Sequence, residues 1–189
     1  TREAELTKLL ENTFRHVNIA LVNELAMFSS QLGVNIWEAI DAASTKPFGF
    51  MKFLPGPGVG GHCLPVDPSY LSWAIKEKVG DSFRFVELAN TVNSFMPNFV
   101  VQKITDLLEE QESALKDSKI LLGGLAYKPK TGDVRESPAL VIGELLTSQG
   151  AHVYAIDDYV SDYDWPNFVH HHDLKSEDYD AGIVITPHD

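Results

Sequence analysis

The spacing of apolar residues predicts one long helix over residues 4–32. Apolar side chains recur there every three or four positions, which places them on one face of a helix. They are Leu6, Leu10, Phe14, Val17, Leu21, Leu25 and Phe28. The polar residues Lys8 and Asn12 fall on a different face and, being four positions apart, are neighbours on the helix surface. Gly33 follows as a left-handed cap that ends the helix.

Further helical segments follow the first one. Asn35 is a suitable N-cap for a helix over 36–44. A helix over 68–78 begins with a proline, which suits the first helical turn. Another helical run extends over 83–113, where Met96-Pro97 should kink it or divide it in two, because proline removes an internal hydrogen bond. The first part of the chain is therefore expected to be almost entirely helical.

The pattern then changes to short apolar runs that predict β-strands. The runs lie at 119–124, 152–157 and 181–186. Ser137-Pro138 opens a helix between the first two runs, and that helix ends before Gly150. Strands that alternate with helices indicate a βαβ layout with a parallel sheet.

A polar segment at 112–118 separates the two patterns. We therefore predict a helical domain over 1–112 and a βαβ domain over 113–189. The sequence ends directly after a strand, so the second domain is expected to be truncated. It also begins without an initiating methionine, and we expect a piece of a longer protein.

Composition excludes several classes of partner. The formal net charge of −12 argues against a nucleic-acid or anionic-membrane surface, since both require a basic footprint. No apolar run approaches the ~20 residues that a membrane-spanning helix needs. A single cysteine cannot form an internal disulfide, so a reducing, cytoplasmic location is expected.

That cysteine, Cys63, lies in the most informative segment of the chain. The segment reads Gly-Pro-Gly-Val-Gly-Gly-His-Cys-Leu-Pro-Val-Asp-Pro over residues 56–68. A lone cysteine is most often a small buried hydrophobe. A space-filling cysteine, however, needs neither four preceding glycines, which leave backbone bare for a ligand, nor an acid four residues later at Asp67. We interpret Cys63 as a nucleophile.

Two other patterns invite an interpretation that we reject. Gly56, Gly58 and Gly61 match the spacing of a dinucleotide fingerprint, but an aromatic, proline-interrupted loop precedes them where the fingerprint requires a strand. Three consecutive histidines at 170–172 suggest a metal, but neighbouring residues point in different directions and rarely converge on one ion. We expect a substrate loop in the first case, and a polar loop with no metal in the second.

Three separated motifs resemble those of the UDP-glucose/GDP-mannose dehydrogenases. They are the Lys8-x-x-x-Asn12 pair, the run from Phe53 to Tyr70, and Leu125-Ala126-Tyr127-Lys128-Pro129-x-x-x-Asp133-x-Arg135-Glu136-Ser137-Pro138. Within the family, Gly-Gly-His-Cys and the segment 46–50 look most similar to the branch that uses UDP-N-acetylglucosamine or UDP-N-acetylmannosamine.

The resemblance implies an architecture and a reaction. Family members oxidise C6 of a sugar nucleotide with NAD, supply precursors for polysaccharide biosynthesis, and consist of an N-terminal Rossmann domain, a central dimerising helical domain and a C-terminal Rossmann-like domain. This chain resembles the second domain and most of the third. The implied fold is therefore an α-helical domain followed by a partial α/β Rossmann-like domain with a parallel sheet. The helical domain is expected to form a homodimer. Without the first domain the chain is expected to be inactive alone.

The resemblance also assigns roles to individual residues. Cys63 matches the thiol that forms a thiohemiacetal and then a thioester with the substrate. Lys8 and Asn12 match the pair that stabilises negative charge on the C6 oxygen, and Asp67 matches an acid that assists proton transfer. A solvated helix face is the alternative for Lys8 and Asn12. An ordinary helix N-cap before Pro68 is the alternative for Asp67, and both of its roles could hold together.

Substrate and cofactor contacts follow from the same motifs. Lys128 resembles a lysine that reaches the substrate, and Arg135 an arginine that contacts NAD; a surface charge is the alternative for both. The backbone around Phe53, Leu54, Gly56 and Gly60 is expected to cradle the UDP-sugar.

Two other functions stay open. One is a UDP-glucose 6-dehydrogenase, against which His62 is weak evidence because the glucose branch typically has serine there. The other is a non-catalytic dimerisation module with a vestigial nucleotide fold. Retention of Lys8, Asn12, Cys63 and Asp67 together argues against that decay.

Overall fold

The computed structural model describes residues 2–61, 64–160, 165–169, 175 and 179–188. The chain divides into two compact units. The helical unit comprises Thr1–Gly58 and Cys63–Met96, and the sheet unit comprises Val59–His62 and Pro97–Asp189. Within the described ranges, no helix is both long and apolar enough to cross a lipid bilayer.

The predicted helices are present. They are α1 (Arg2–Gln31), α2 (Ile36–Ser44), α3 (Asp67–Val79) and α4 (Arg84–Glu110). Asn35 caps α2 as predicted, since its side-chain oxygen accepts hydrogen bonds from the N–H groups of Trp37 and Glu38. Gly33 has the left-handed conformation (φ 65°) expected of the residue that ends α1.

The side of α1 that packs within the helical unit is largely polar. Its buried residues include Asn12, Thr13, His16, Ala20 and Asn23. The apolar repeat points elsewhere and is about half exposed in Leu6, Leu10, Phe14, Leu21, Leu25 and Phe28, a set called the α1 stripe below. The α1 stripe is therefore not the core of the helical unit.

Pro97 lies inside α4 without ending it. Of the two predicted effects of Pro97, division into two helices is wrong, and a kink stays a prediction. One missing backbone hydrogen bond is tolerated because buried side chains hold the helix on both sides of it, at Met96, Val101 and Ile104. The boundary between the compact units falls inside α4, between Met96 and Pro97. The domain boundary at residues 112–113, inferred from composition, stays a prediction.

The sheet unit contains the predicted parallel sheet. Its strands are β1 (Lys119–Gly123), β2 (His152–Ile156) and β3 (Ala181–Val184), in the order β2-β1-β3. Ile120 lies opposite Val153 on one side and Ala181 on the other. The helix α5 (Pro138–Ser148) connects β1 to β2, and Ser137 caps it by accepting from the N–H of Ala139. The fold class expected from sequence, a helical region followed by a partial Rossmann-like sheet, is confirmed.

One apolar core holds the sheet unit together. Its largest fully buried members in β1, the following turn and α5 are Ile120, Leu122, Leu125, Ile142 and Leu146. The second half of α4 adds Val101, Ile104 and Leu108 at helical spacing. Removal of these side chains from water is the main stabilising contribution to this unit.

Gly124 is required at the turn after β1. Its φ is +86°, and a Cβ placed there overlaps the backbone of Thr186. Gly124→Ala is therefore expected to destabilise the chain by about 2 kcal/mol, through strain in a left-handed conformation and a backbone clash. Urea unfolding followed by circular dichroism measures the change. Gly182→Ala in β3 is the matched control, because no atom lies within 4 Å of its added Cβ. Equal unfolding midpoints for the two variants would contradict the role given to Gly124.

Candidate functional site

Asn12 and Asp67, two predicted catalytic residues, are in direct contact. Asn12 is 1% exposed on α1, and its Nδ2 donates a 2.6 Å hydrogen bond to Oδ2 of Asp67. Arg15, one turn further along α1, donates from Nη2 to Oδ1 of Asn12 at 2.7 Å. Both ends of the Asn12 amide are thus fixed, and one of its N–H groups is directed at a carboxylate.

Asp67 is not a helix cap. It is the first residue of α3, and the N-cap position belongs to Val66, which makes no side-chain capping bond. The alternative of an ordinary N-cap is therefore wrong. The carboxylate instead accepts from Asn12 across to α1, while an acid in the first helical turn still interacts favourably with the helix dipole.

Lys8 lies one turn before Asn12 on α1. Its side chain is exposed and forms no hydrogen bond or ion pair with any described residue. Of the predicted pair, Asn12 is engaged with Asp67 and Lys8 is not. The solvated-face alternative is therefore wrong for Asn12, while the ammonium of Lys8 stays accessible to an anionic ligand.

Cys63 and His62 lie outside the described residues, as do the three consecutive histidines at 170–172. Among the residues that are described, no group of three His, Cys, Asp or Glu side chains is placed to hold a metal ion.

The predicted substrate loop is anchored to α1 at two points. The N–H of Gly56 donates to Oδ1 of Asn23 at 2.8 Å. The ring of Phe53 packs edge-on against Phe14 with 5.8 Å between ring centroids. Leu54, between these anchors, is half exposed. Leu54 is thus a half-exposed apolar side chain between two residues, Phe53 and Gly56, that contact α1.

In the sheet unit, Gly60 and Gly61 pack tightly against the segment that follows β1. A Cβ on Gly60 would lie 2.8 Å from the backbone oxygen of Glu136, and one on Gly61 would lie 2.7 Å from the ring of Tyr127. The N–H of Gly61 donates to the carbonyl of Arg135 at 3.1 Å. At these two positions the absence of a side chain allows the loop backbone to pack against Glu136 and Tyr127 of the protein.

Lys128 and Arg135 both lie in this segment with exposed side chains. Arg135 donates from Nη2 to Asp133 at 2.6 Å. The hydrogen bond to Asp133 raises the pKa of Arg135 above its ordinary value. Nζ of Lys128 lies 5.3 Å from the ring centroid of Tyr127. Lys128 and Arg135 are thus both solvent-accessible cations.

Asp157 organises the turn from which this segment starts. It follows β2, and its carboxylate accepts from four backbone N–H groups. Oδ2 receives those of Leu125 and Ala126, and Oδ1 those of Tyr159 and Val160. The Nε2 atom of His188 lies 3.1 Å from Oδ2. Burial raises the pKa of Asp157, but the hydrogen bonds from Ala126, Tyr159 and His188 outweigh it and leave the pKa below its ordinary value.

The Asp157 contacts bear on where a dinucleotide can bind. In nucleotide-binding α/β folds, the amides after the first strand receive a phosphate. Here the first of those amides, on Leu125 and Ala126, are bonded to Asp157. The N–H groups of Leu125 and Ala126 are therefore not free to bind a phosphate, whereas the guanidinium of Arg135 is exposed.

Sequence reasoning missed three residues of this arrangement: Arg15, Asn23 and Asp157. Asn23 had a usable signal, since Asn12, His16 and Asn23 recur at helical spacing on one face of α1. Arg15 also had one, since it lies three positions after Asn12 on the same helix. The partners of Asp157 depend on tertiary contacts and left no local pattern.

Comparison with known proteins places the chain in a family. Residues 2–95 match the central domain of the UDP-glucose/GDP-mannose dehydrogenase family, and residues 121–189 match its UDP binding domain. The chain belongs to this family. The resemblance inferred from the three motifs is thereby confirmed.

Two relatives illustrate the match. A UDP-N-acetyl-D-mannosamine dehydrogenase from Methanocaldococcus jannaschii is 38% identical over 189 residues, which is 100% of this chain and 41% of the relative. One from Escherichia coli is 41% identical over 151 residues, covering 77% of this chain and 34% of the relative. The chain thus spans less than half the length of these curated relatives.

Solved structures agree with this placement. A UDP-D-ManNAc dehydrogenase from Pyrococcus horikoshii superposes with a TM-score of 0.82 at 36% identity, over 98% of this chain and 42% of that one. An NDP-N-acetyl-D-galactosaminuronic acid dehydrogenase from Methanosarcina mazei gives a TM-score of 0.88 at 30% identity, over 99% and 41%.

Removing the charge of Asp157 is expected to weaken the sheet unit. Asp157→Asn places an amide NH₂ among backbone donors, and we expect a loss of about 2 kcal/mol at pH 7. The pKa of Asp157 is lower in the folded than in the unfolded chain, so its ionisation contributes to the free energy of unfolding. This contribution is present above the unfolded pKa of about 4 and is lost as pH falls through the folded pKa. The variant should therefore lose less stability than the wild type on acidification.

Urea unfolding at a series of pH values measures both effects. Asp158→Asn is the matched control, because it removes the same charge from an exposed neighbour. Parallel stability–pH curves for wild type and Asp157→Asn would refute the assignment.

Proposed function

We propose that this chain supplies the nucleophile, the oxyanion-stabilising side chains and part of the sugar-nucleotide site of an NAD-dependent nucleotide-sugar 6-dehydrogenase. The observation that carries the proposal is the 2.6 Å bond between Asn12 and Asp67. It joins the Lys-x-x-x-Asn pair of α1 to the acid that follows Cys63 by four residues. The names of the relatives favour UDP-ManNAc as substrate, and UDP-GlcNAc stays the other candidate from the motif resemblance.

Cys63 provides the covalent step in the proposed reaction. Its thiolate adds to the C6 aldehyde produced by the first oxidation, forming a C–S bond and an oxyanion that is protonated to a thiohemiacetal. Loss of a hydride from C6 and a proton from the hydroxyl gives a thioester. Water then cleaves the C–S bond, which releases the carboxylate and regenerates the thiol. NAD, when bound, accepts one hydride in each of the two oxidations.

Lys8 and Asn12 stabilise the negative charge that develops on the C6 oxygen. The ammonium of Lys8 is exposed and has no described partner. A carboxamide has two N–H donors, and Asn12 directs one of them at Asp67, which leaves the other for the substrate oxygen. Arg15 fixes the amide oxygen and so prevents Asn12 from flipping. Preorganised donors of this kind stabilise an oxyanion without reorganisation.

Asp67 acts as the acid–base partner. Its Oδ2 accepts from Asn12, and its other oxygen is available to take a proton from the water that hydrolyses the thioester.

The remaining predicted residues bind ligands. The backbone of Phe53, Leu54 and Gly56 contributes to the UDP-sugar site. The contacts of Gly60 and Lys128 with the UDP-sugar stay predictions, and the bare side of Gly60 is covered by Glu136 and Tyr127. Arg135 contacts NAD, for whose phosphates an exposed guanidinium is suited. The cytoplasmic location inferred from the single cysteine stays a prediction.

The decisive variant is Cys63→Ser in the complete enzyme. Uronate formation is expected to fall by about a thousandfold or more, because a serine hydroxyl is a far weaker nucleophile at neutral pH. Affinity for the UDP-sugar, measured by isothermal titration calorimetry, should change little. Stopped-flow detection of NADH separates the two oxidations, and near-normal NADH production by the variant would exclude Cys63 as the nucleophile.

Control measurements on the same enzyme address the alternatives. Ser113→Ala, an exposed residue outside the site, should leave every rate unchanged. Comparison of kcat/KM for UDP-glucose, UDP-GlcNAc and UDP-ManNAc tests the substrate. Turnover of UDP-glucose alone would favour the plain glucose dehydrogenase, and turnover of none would favour a non-catalytic dimerisation module.

We also propose that the chain forms a homodimer through the α1 stripe. Six large apolar side chains stay about half exposed along one face of a 30-residue helix. Contiguous exposed apolar surface of this kind marks an interaction site, and a two-fold axis across α1 lets each stripe cover its copy.

Charge placed in the α1 stripe is expected to separate the dimer. The double variant Leu21→Glu/Leu25→Glu should sediment as a monomer at micromolar concentration, where the wild type sediments as a dimer, because buried unpaired carboxylates are strongly unfavourable. Leu107→Glu is the matched control, since Leu107 is 56% exposed and lies outside the stripe on α4. A monomeric wild type, or dissociation by Leu107→Glu alone, would argue against this interface.

A further inference from the structure

A continuous series of hydrogen bonds enters the polar face of α1 from the glycine-rich loop. The N–H of Gly56 donates to Oδ1 of Asn23 at 2.8 Å. Asn23 donates from Nδ2 to Oδ1 of Asn93 at 3.0 Å. Asn93 in turn directs Nδ2 to Nδ1 of His16 at 3.3 Å. His16, Asn23 and Asn93 are all at least 95% buried.

The series continues from the other side of the His16 ring. Nε2 of His16 lies 2.8 Å from Oδ1 of Asn90. Asn90 donates from Nδ2 to Oγ of Ser69 at 3.2 Å, and Ser69 donates from Oγ to the carbonyl of Pro65 at 2.9 Å. Every member belongs to the helical unit. Six hydrogen bonds thus connect Gly56 to Pro65, and we call them the His16 relay.

The two ends of the relay fix its direction. A backbone N–H can only donate and a proline carbonyl can only accept, so each amide between them must turn its oxygen towards Gly56 and its NH₂ towards Pro65. His16 must then accept at Nδ1 and donate at Nε2, which only the neutral Nε2–H tautomer does. In an imidazolium Nδ1 also carries a proton, so this N–H and the NH₂ of Asn93 would be two donors facing each other. If the amides of Asn93 and Asn23 were both rotated to turn their oxygens towards His16, the NH₂ of Asn23 would face the N–H of Gly56. Two donors would then meet at Gly56 instead of at His16.

Among the described residues, no charged side chain forms a hydrogen bond or ion pair with the His16 ring, whose contacts are Asn90 and Asn93. Arg15 on α1 and Asp67 on α3 are both bonded to Asn12, and Glu87 on α4 accepts from the hydroxyl of Ser72. Burial lowers the pKa of His16 below its ordinary value, and the bond to Asn90 only partly opposes this. The ring is therefore kept neutral by its surroundings as well as by the polarity of the relay.

We propose that His16 is a positioning residue that, as the neutral Nε2–H tautomer, completes the relay and holds both sides of the segment containing Cys63. Gly56 precedes Cys63 by seven residues and Pro65 follows it by two. The relay itself rests on the described contacts alone. Its consequence for catalysis rests on the function proposed above.

The tautomer is tested first, in the unmodified 189-residue chain. Nitrogen-15 chemical shifts of the His16 ring at pH 7 should show a protonated Nε2 and an unprotonated Nδ1. An imidazolium or an Nδ1–H tautomer would overturn the proposal. This measurement needs no variant, so it holds even if substitutions at His16 prevent folding.

Hydrogen exchange at the Gly56 amide tests the relay. His16→Phe keeps a planar ring but neither hydrogen bond, and the protection factor of Gly56 is expected to fall about tenfold. His16→Gln keeps one acceptor and one donor and should stay within about threefold of the wild type. Asn18→Ala is the control, because Asn18 bonds only the carbonyl of Phe14, outside the relay. Unchanged protection in folded His16→Phe, or equal losses in Phe and Gln variants, would refute the relay.

The pH dependence distinguishes the relay from simple packing. Since His16 must be neutral, protection of Gly56 should decrease in the wild type as pH falls through the lowered pKa of His16. His16→Gln has no group to titrate there and should show no such decrease. Identical pH profiles for the two proteins would overturn the requirement for a neutral ring.

The complete enzyme tests the consequence for catalysis. His16→Phe should lower kcat about tenfold while His16→Gln stays within about threefold, and an unchanged kcat in His16→Phe would remove the positioning role. Tautomer and exchange measurements involve no turnover. Failure of the dehydrogenase assignment would therefore leave them unaffected, and failure of the relay would leave the Cys63→Ser result unaffected.

Discussion

Buried hydrogen-bonding groups on α1 constrain the helical unit more tightly than its apolar contacts do. Amides and an imidazole removed from water each need a partner, because an unpaired one costs about 1–3 kcal/mol. The partners lie on α3, α4 and the glycine-rich loop, as the bonds of Asn12, His16 and Asn23 demonstrate. Satisfying them therefore fixes those elements relative to α1, whereas the small apolar cluster of Ala20, Ala89 and Val92 could tolerate several packings.

Features set by neighbouring residues could be predicted from the sequence. Asn35 before α2, Ser137-Pro138 before α5 and the three apolar runs of the sheet depend on interactions within a few positions. The polar face of α1 was harder to predict, because its partners Asn90 and Asn93 lie 70 or more residues away. Without them a polar stripe has the same pattern as a solvated one. The effect of Pro97 was also hard to predict. Buried neighbours on both sides of it compensate the missing backbone hydrogen bond, so α4 is not divided there.

The residues of the candidate site were predicted from motifs, and the structure adds the hydrogen bonds that connect some of them. The pairing of Asn12 with Asp67 turns two separated motif residues into one hydrogen-bonded unit. Arg15, which no motif included, orients that unit through the amide oxygen. The spacing of three residues on one helix permits this contact, but the sequence does not say that the amide oxygen of Asn12 needs a partner, because the bond of Asn12 to Asp67 depends on the fold.

Asp157 has a consequence for how the sheet unit depends on ligands. Its carboxylate occupies backbone amides that a bound phosphate could otherwise occupy, so this turn is complete in the unliganded protein. A ligand that binds only the folded state stabilises it by mass action, but only through contacts that it forms. Because Asp157 already satisfies the amides of Leu125 and Ala126, this turn needs no bound phosphate to pair them, and a phosphate could bind there only by displacing the carboxylate.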